Sequence, residues 1–101
     1  MRDFEEQVRR ALDELPPDLA RGLENVAVVV EEENAGDPGV LGLFEQAPYL
    51  PAKVTIYRRP LVADFGHDPE LLAHEIRVTV LHELAHYFGI DEQRLAELGY
   101  G

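Results

Sequence analysis

The sequence contains no cysteine among its 101 residues. A disulfide framework and a thiolate metal site are therefore excluded, and any metal that the protein binds must have nitrogen and oxygen ligands. Basic residues are also scarce, because nine Lys and Arg face 20 Asp and Glu, for a formal net charge of −11. Phosphate contacts need clustered Lys and Arg, so this composition argues against nucleic-acid binding.

Long apolar segments are missing as well. No apolar run approaches the length of a membrane-spanning helix, and the acidic N-terminal residues lack the basic-then-apolar order of a signal peptide. We therefore expect no membrane association and a cytoplasmic location. A chain of this length supports one core but no separate substrate-binding lobe, so we expect a single domain over residues 1–101. The oligomeric state is not indicated.

Apolar periodicity predicts four helical segments. Residues 3–15 form an amphipathic helix that backs the core, and residues 18–23 add one more turn. Asp68 is placed as the N-cap of a long helix over residues 69–88, which begins with proline. Residues 91–98 form a shorter final helix.

Three strands are predicted between these helices, which makes the fold class α+β. Residues 25–32 are apolar on both faces and are expected at the centre of the sheet. Residues 41–45 are short, contain glycine and precede prolines, which favours an edge position, and residues 53–58 give the third strand. The acidic run 31–33 is interpreted as a solvated strand end, and residues 60–66 as a loop or helical turn.

The long helix carries the motif His82-Glu83-Leu84-Ala85-His86. At about 100° of rotation per residue, His82 and His86 lie on one face, one turn apart, so both rings can reach one metal ion. Glu83 lies beside them, where its carboxylate can take a proton from a metal-bound water. A chain of this composition contains about 0.02 such motifs by chance, and requiring glycine at position 89 lowers the figure to about 0.002.

The rest of this helix supports a functional role for the motif. Apolar residues cover a broad arc, so we expect the helix to be nearly encased. The remaining narrow strip consists of Leu72, Glu75, Thr79, His82, Glu83 and His86. Because histidines buried without a partner are costly, a metal ion is the simplest partner for this strip.

A catalytic zinc commonly has three protein ligands and one open position, so two histidines are not enough. The turn at Gly89 presents two carboxylates, Asp91 and Glu92. Asp91 has a ready role as the cap of the final helix, whereas Glu92 lies six residues after His86, where the extended motif HExxHxxGxxH carries its third ligand. We favour Glu92 and keep Asp91 as the competitor.

Residues 79–92 (TVLHELAHYFGIDE) and, more loosely, residues 54–61 (VTIYRRPL) resemble the minimal zincin-like metallopeptidases, small bacterial proteins with an HExxHxxGxxD-type motif. The resemblance implies a compact α+β zincin core, with the first two zinc ligands at His82 and His86 and the general base at Glu83. This chain has Glu at position 92 instead of Asp or His. Two histidines and one glutamate are nevertheless a recognised zinc ligand set.

Two functions are considered. The first is a zinc-dependent peptidase, in which zinc polarises the scissile carbonyl, Glu83 deprotonates the bound water, and residues 41–45 pair with an extended peptide substrate. The second is a metal-binding interaction module with little turnover. The sequence does not choose an oxyanion donor among Tyr57, Arg58, Arg59 and Tyr100. Surface or capping roles are expected for His67 and His74. Glu75 is expected to be exposed, and the alternative is that it supports the metal ligands from the same face of the helix.

Overall fold

Helices and a small mixed sheet alternate along the chain. The computed structural model describes residues 2–46, 51–88 and 91–100, and for residues 2 and 86–88 it describes the backbone alone. The elements are α1 (Arg2–Asp13), α2 (Pro17–Gly22), β1 (Val26–Glu31), β2 (Gly42–Glu45), β3 (Ala52–Tyr57), α3 (Arg58–Phe65), α4 (Pro69–Phe88) and α5 (Glu92–Glu97). The predicted α+β architecture is confirmed. Within the described ranges, no helix is long and apolar enough to cross a membrane.

The strand order is β1-β3-β2, with β3 in the centre. β1 runs parallel to β3 and places Val28 beside Val54, while β2 runs antiparallel and places Phe44 on the other side of Val54. The edge position predicted for residues 41–45 is confirmed, but the central position predicted for the first strand is wrong. In β1 half-buried and exposed residues alternate, whereas five of the six residues of β3 are buried. Apolar residues also cover much of a protein surface, so a run of valines does not require burial on both faces.

The main core lies where α1 and α4 meet the sheet. Its buried side chains are Phe4, Val8, Ala11, Val54, Ile56, Leu61, Leu72, Ile76, Val80 and Leu84. A second cluster joins Leu15, Leu81, Ala85 and Leu95, and thereby packs α5 against the C-terminal half of α4. Full burial of such an aliphatic side chain contributes about 1.5–3 kcal/mol, so the two clusters fix α4 between the sheet and the final helix. The backing role predicted for the first helix is confirmed.

α4 begins at the predicted cap. The Asp68 Oδ1 atom accepts the N–H groups of Glu70 at 3.0 Å and Leu71 at 3.3 Å. None of residues 71–85 is exposed, so the prediction of a nearly encased helix is confirmed for this part. Leu72 is only 4% exposed and belongs to the main core, so its placement on the polar strip was wrong. It lies one turn before Ile76, and the core-facing side of α4 is wide enough to include it.

Two segments are more ordered than predicted. Residues 58–65 form a helix that follows β3 directly, where only a loop or turn over residues 60–66 was expected. Glu32 is not simply solvated, because its two carboxylate oxygens accept Arg58 Nε at 3.1 and 3.0 Å. This hydrogen bond, together with the nearby positive charges of Arg58 and Arg59, holds the pKa of Glu32 below its ordinary value. The ends of β1 and β3 are therefore tied together by an ion pair.

Candidate metal centre

The two motif histidines lie in one unbroken helix. α4 extends from Pro69 to Phe88, so the backbones of His82 and His86 share a face one turn apart. The His82 side chain is half-buried, and within the described residues no hydrogen bond or ion pair engages its ring. The side chain of His86 lies outside the described residues. The roles of His82 and His86 as metal ligands both stay predictions.

The Glu83 carboxylate contacts the edge strand β2. Its Oε2 atom accepts the backbone N–H of Phe44 at 3.1 Å. Tyr57 donates its N–H to the carbonyl of Leu41 at 3.0 Å, and amides alternate in direction along an antiparallel ladder, so those of Gly42 and Phe44 face away from β3. Glu83 therefore lies at the outer edge of the sheet. The sequence did not reveal this contact, because the donor is a backbone group that any residue except proline supplies.

The two carboxylates after α4 have different environments. Asp91 is the N-cap of α5, as predicted, and its Oδ1 atom accepts the Arg94 N–H at 2.7 Å. Glu92 is the first residue of α5 and is exposed. The predicted turn at Gly89 falls outside the described residues. The Asp91 carboxylate is therefore engaged in capping α5, whereas the Glu92 carboxylate has no such role.

The described donors have the chemistry that zinc requires. Zinc binds imidazole nitrogen and carboxylate oxygen, and both occur here without competing cysteine. Among the side chains that the structure describes, no three His, Asp or Glu form a metal-binding group, but that set does not include His86. His82, His86 and Glu92 carry the nitrogen and oxygen donors that zinc binds. Their arrangement around a single ion remains a prediction.

The four candidate oxyanion donors all have contacts with residues other than Glu83. The Tyr57 hydroxyl accepts Asn34 Nδ2 at 3.1 Å, and Arg58 and Arg59 both contact Glu32, at 2.9 and 3.5 Å. The Tyr100 ring stacks on His74 with 5.9 Å between ring centroids. No described contact joins any of the four to Glu83.

The three residues expected at the surface differ in burial. His67 is exposed, as predicted, whereas Glu75 and His74 are half-buried. The stacking of His74 on Tyr100 explains part of its burial and indicates a packing role.

Comparison with known families adds an independent finding. The family model described as zincin-like metallopeptidase matches residues 23–101. The match covers well over half of the chain and includes the sheet, α4 and α5, while α1 and α2 precede it. Comparison with curated proteins gives no match.

Proposed function

Because the chain belongs to the zincin-like metallopeptidase family, we propose that it is a zinc-dependent peptidase that cleaves unstructured peptide segments. His82, His86 and Glu92 are the residues that would hold the metal, with Asp91 as the competitor for the third position. Zinc, when bound, supplies a Lewis acid that polarises the scissile carbonyl and lowers the pKa of water. The cytoplasmic location expected from the sequence is part of the same proposal.

The position of Glu83 at the edge of β2 is the observation that carries this proposal. Its carboxylate lies 3.1 Å from the Phe44 nitrogen, on the side of the strand that faces away from β3. An extended peptide that approaches this edge for β-strand addition would meet the Glu83 carboxylate, which already accepts the Phe44 N–H. A general base must lie within hydrogen-bonding distance of the proton that it takes, and the location of Glu83 at this edge supports that role.

Within this proposal Glu83 moves a proton twice. It first takes a proton from the attacking water and then delivers it to the departing amine, so the carboxylate ends in its original form. The backbone amide of Phe44 orients the carboxylate before the peptide arrives. Recognition by a strand edge depends on an extended backbone, which favours short extended segments over folded proteins as substrates.

The test compares zinc-loaded protein with Glu83→Gln on unstructured peptides. Glutamine keeps the size of the side chain and an oxygen for the Phe44 N–H, but it does not take up the proton. We expect turnover to fall by about 100-fold or more, with unchanged zinc content. Glu70→Gln, which alters an exposed glutamate in the first turn of the same helix, serves as the matched control. Equal rates for wild type and Glu83→Gln would contradict the mechanism.

A metal-binding interaction module with little turnover is the second candidate. It is favoured by the engagement of Tyr57, Arg58, Arg59 and Tyr100 away from Glu83. Stoichiometric zinc without turnover on a broad peptide library would support the module. Turnover that Glu83→Gln abolishes would eliminate it.

A further inference from the structure

The strand β2 lies against α4 at Gly42, a residue without a side chain. Gly42 is buried, and a Cβ atom added there would lie 2.6 Å from Cγ2 of Thr79, well inside van der Waals contact. The same Cβ atom would lie 3.3 Å from the backbone carbonyl oxygen of Thr55 in β3. An added Cβ atom would therefore meet atoms of both α4 and β3, so β2 would have to shift to make room for it.

Thr79 is held in place on the helix side. Its hydroxyl donates to the carbonyl of Glu75 at 2.7 Å, and the residue is only 7% exposed. A β-branched side chain has few allowed rotamers in a helix, and rotation that withdrew Cγ2 from Gly42 would break this hydrogen bond. The separation of β2 and α4 is thus set by the pairing of a glycine with a fixed threonine.

Glu83 lies one helical turn after Thr79, and Phe44 lies two residues after Gly42, so the same two elements meet again at the Glu83 carboxylate. The Cγ atom of Glu83 would be 3.5 Å from a Cβ atom at position 42, and its Oε2 atom accepts the Phe44 N–H at 3.1 Å. The contact of Gly42 with Thr79 limits how closely β2 approaches α4, and the hydrogen bond from Phe44 to Glu83 depends on that approach.

We propose that Gly42 and Thr79 are positioning residues for Glu83: their contact brings β2 close enough for the Phe44 amide to hold the carboxylate. The role of Glu83 as general base rests on the proposed function, whereas its placement does not. A displacement of β2 by roughly 0.5 Å would stretch the 3.1 Å distance between Phe44 and Glu83 beyond the usual hydrogen-bond range.

The experiment measures hydrogen exchange of the Phe44 amide by NMR in metal-free protein. Glu83→Ala gives the reference in which the acceptor is missing. We expect Gly42→Ala to accelerate exchange at Phe44 by about tenfold, towards that reference. The double variant Gly42→Ala with Thr79→Ser removes the obstructing methyl group but keeps the hydroxyl, and it should return exchange to the wild-type rate.

Gly39→Ala is the matched control, because a Cβ atom there meets only Asp37 Oδ1 at 3.5 Å. A folded Gly42→Ala protein with wild-type exchange at Phe44 would overturn the proposal. If Gly42→Ala does not fold, the double variant decides: a folded protein with wild-type exchange supports the proposal, and failure to restore either property overturns it.

The turnover rate of zinc-loaded protein gives a second, separate measurement. Gly42→Ala should lower kcat by about tenfold or more, and Thr79→Ser in the same chain should restore it, since a displaced general base loses part of its contribution. If wild-type protein shows no turnover, the proposed function fails, while the exchange rates still decide whether Gly42 and Thr79 position Glu83.

Discussion

The two edges of the sheet have different neighbours. The β2 edge is four residues long, contains a glycine and lies against α4, where the Phe44 amide holds Glu83. The β1 edge is rich in valine and leaves Val29 36% exposed. The β1 edge borders a groove of about 490 Å³ beside α1. The residues that line this groove include Val8 and Val28 but none of the predicted site residues.

This difference shows that hydrophobic content does not identify the edge that contacts the helix with the motif. The more apolar strand, β1, has a structural role, because its half-buried side pairs with the core and its C-terminal end is tied to Arg58 through Glu32. The weakly patterned strand, β2, presents backbone groups to the helix that carries the motif. Backbone recognition needs a close approach of main chains, and small side chains permit it.

Within the comparison of the two edges, the largest effect is expected for the two carboxylates that follow α4. We expect Glu92→Ala to weaken zinc binding by at least about tenfold through loss of a ligand. Asp91→Ala should leave zinc affinity nearly intact and cost about 1 kcal/mol of stability through loss of the cap, whose bond to the Arg94 N–H measures 2.7 Å. Competitive chelator titration gives the affinity, and thermal unfolding without metal gives the stability.

His82→Ala is the positive control for loss of a ligand in that experiment. Loss of zinc in Asp91→Ala with retention in Glu92→Ala would make Asp91 the third ligand. Retention in both variants would place the third ligand elsewhere or assign it to water.

A smaller effect is expected in the strand between the two edges. Thr55 is 1% exposed, and its Oγ1 atom has no hydrogen-bond partner among the described residues. Replacing this buried hydroxyl by a methyl group in Thr55→Val should raise the free energy of unfolding by about 1 kcal/mol. Val29→Ala, at the exposed face of β1, should change it by less than about 0.5 kcal/mol. Urea unfolding measures both, and destabilisation by Thr55→Val would show that the hydroxyl is satisfied.

The sequence predicts local features of this fold better than contacts between distant segments. The Asp68 cap, the buried face of α4 and the presence of His82 and Glu83 on one helix depend on residues within a few turns, so spacing alone indicates them. The Phe44 amide and Glu83 are 39 residues apart, and the pairing of Glu32 with Arg58 spans 26. Such contacts depend on how elements pack, which periodicity does not encode.

The strand order also could not be predicted from the pattern of apolar residues. Val28 in β1 and Val54 in β3 both belong to apolar runs, and periodicity alone did not show which run has neighbours on two sides. Burial decides it, because β3 is covered along its length and β1 is not. The ligand set itself stays a prediction for a different reason, since the His86 side chain lies outside the described residues.

The smallest effect is expected at the far end of the β1 edge. The hydrogen bond from Arg58, reinforced by the charges of Arg58 and Arg59, lowers the pKa of Glu32 from its ordinary value near 4.5. A carboxyl whose pKa is lower in the folded state stabilises that state above its unfolded pKa, and the contribution is lost as the pH falls through the folded pKa. The free energy of unfolding of Glu32→Gln should therefore lie below that of wild type at pH 7, and this difference should disappear in acid.

The side chains of Glu32 and Arg58 are both substantially exposed, so the gap in unfolding free energy between wild type and Glu32→Gln is expected to be small and to shrink in salt. Glu31→Gln, at the neighbouring exposed carboxylate, should show no such gap. A gap for Glu32→Gln that widens as the pH falls would contradict an electrostatic link between β1 and α3, and the far edge would then be held by packing alone.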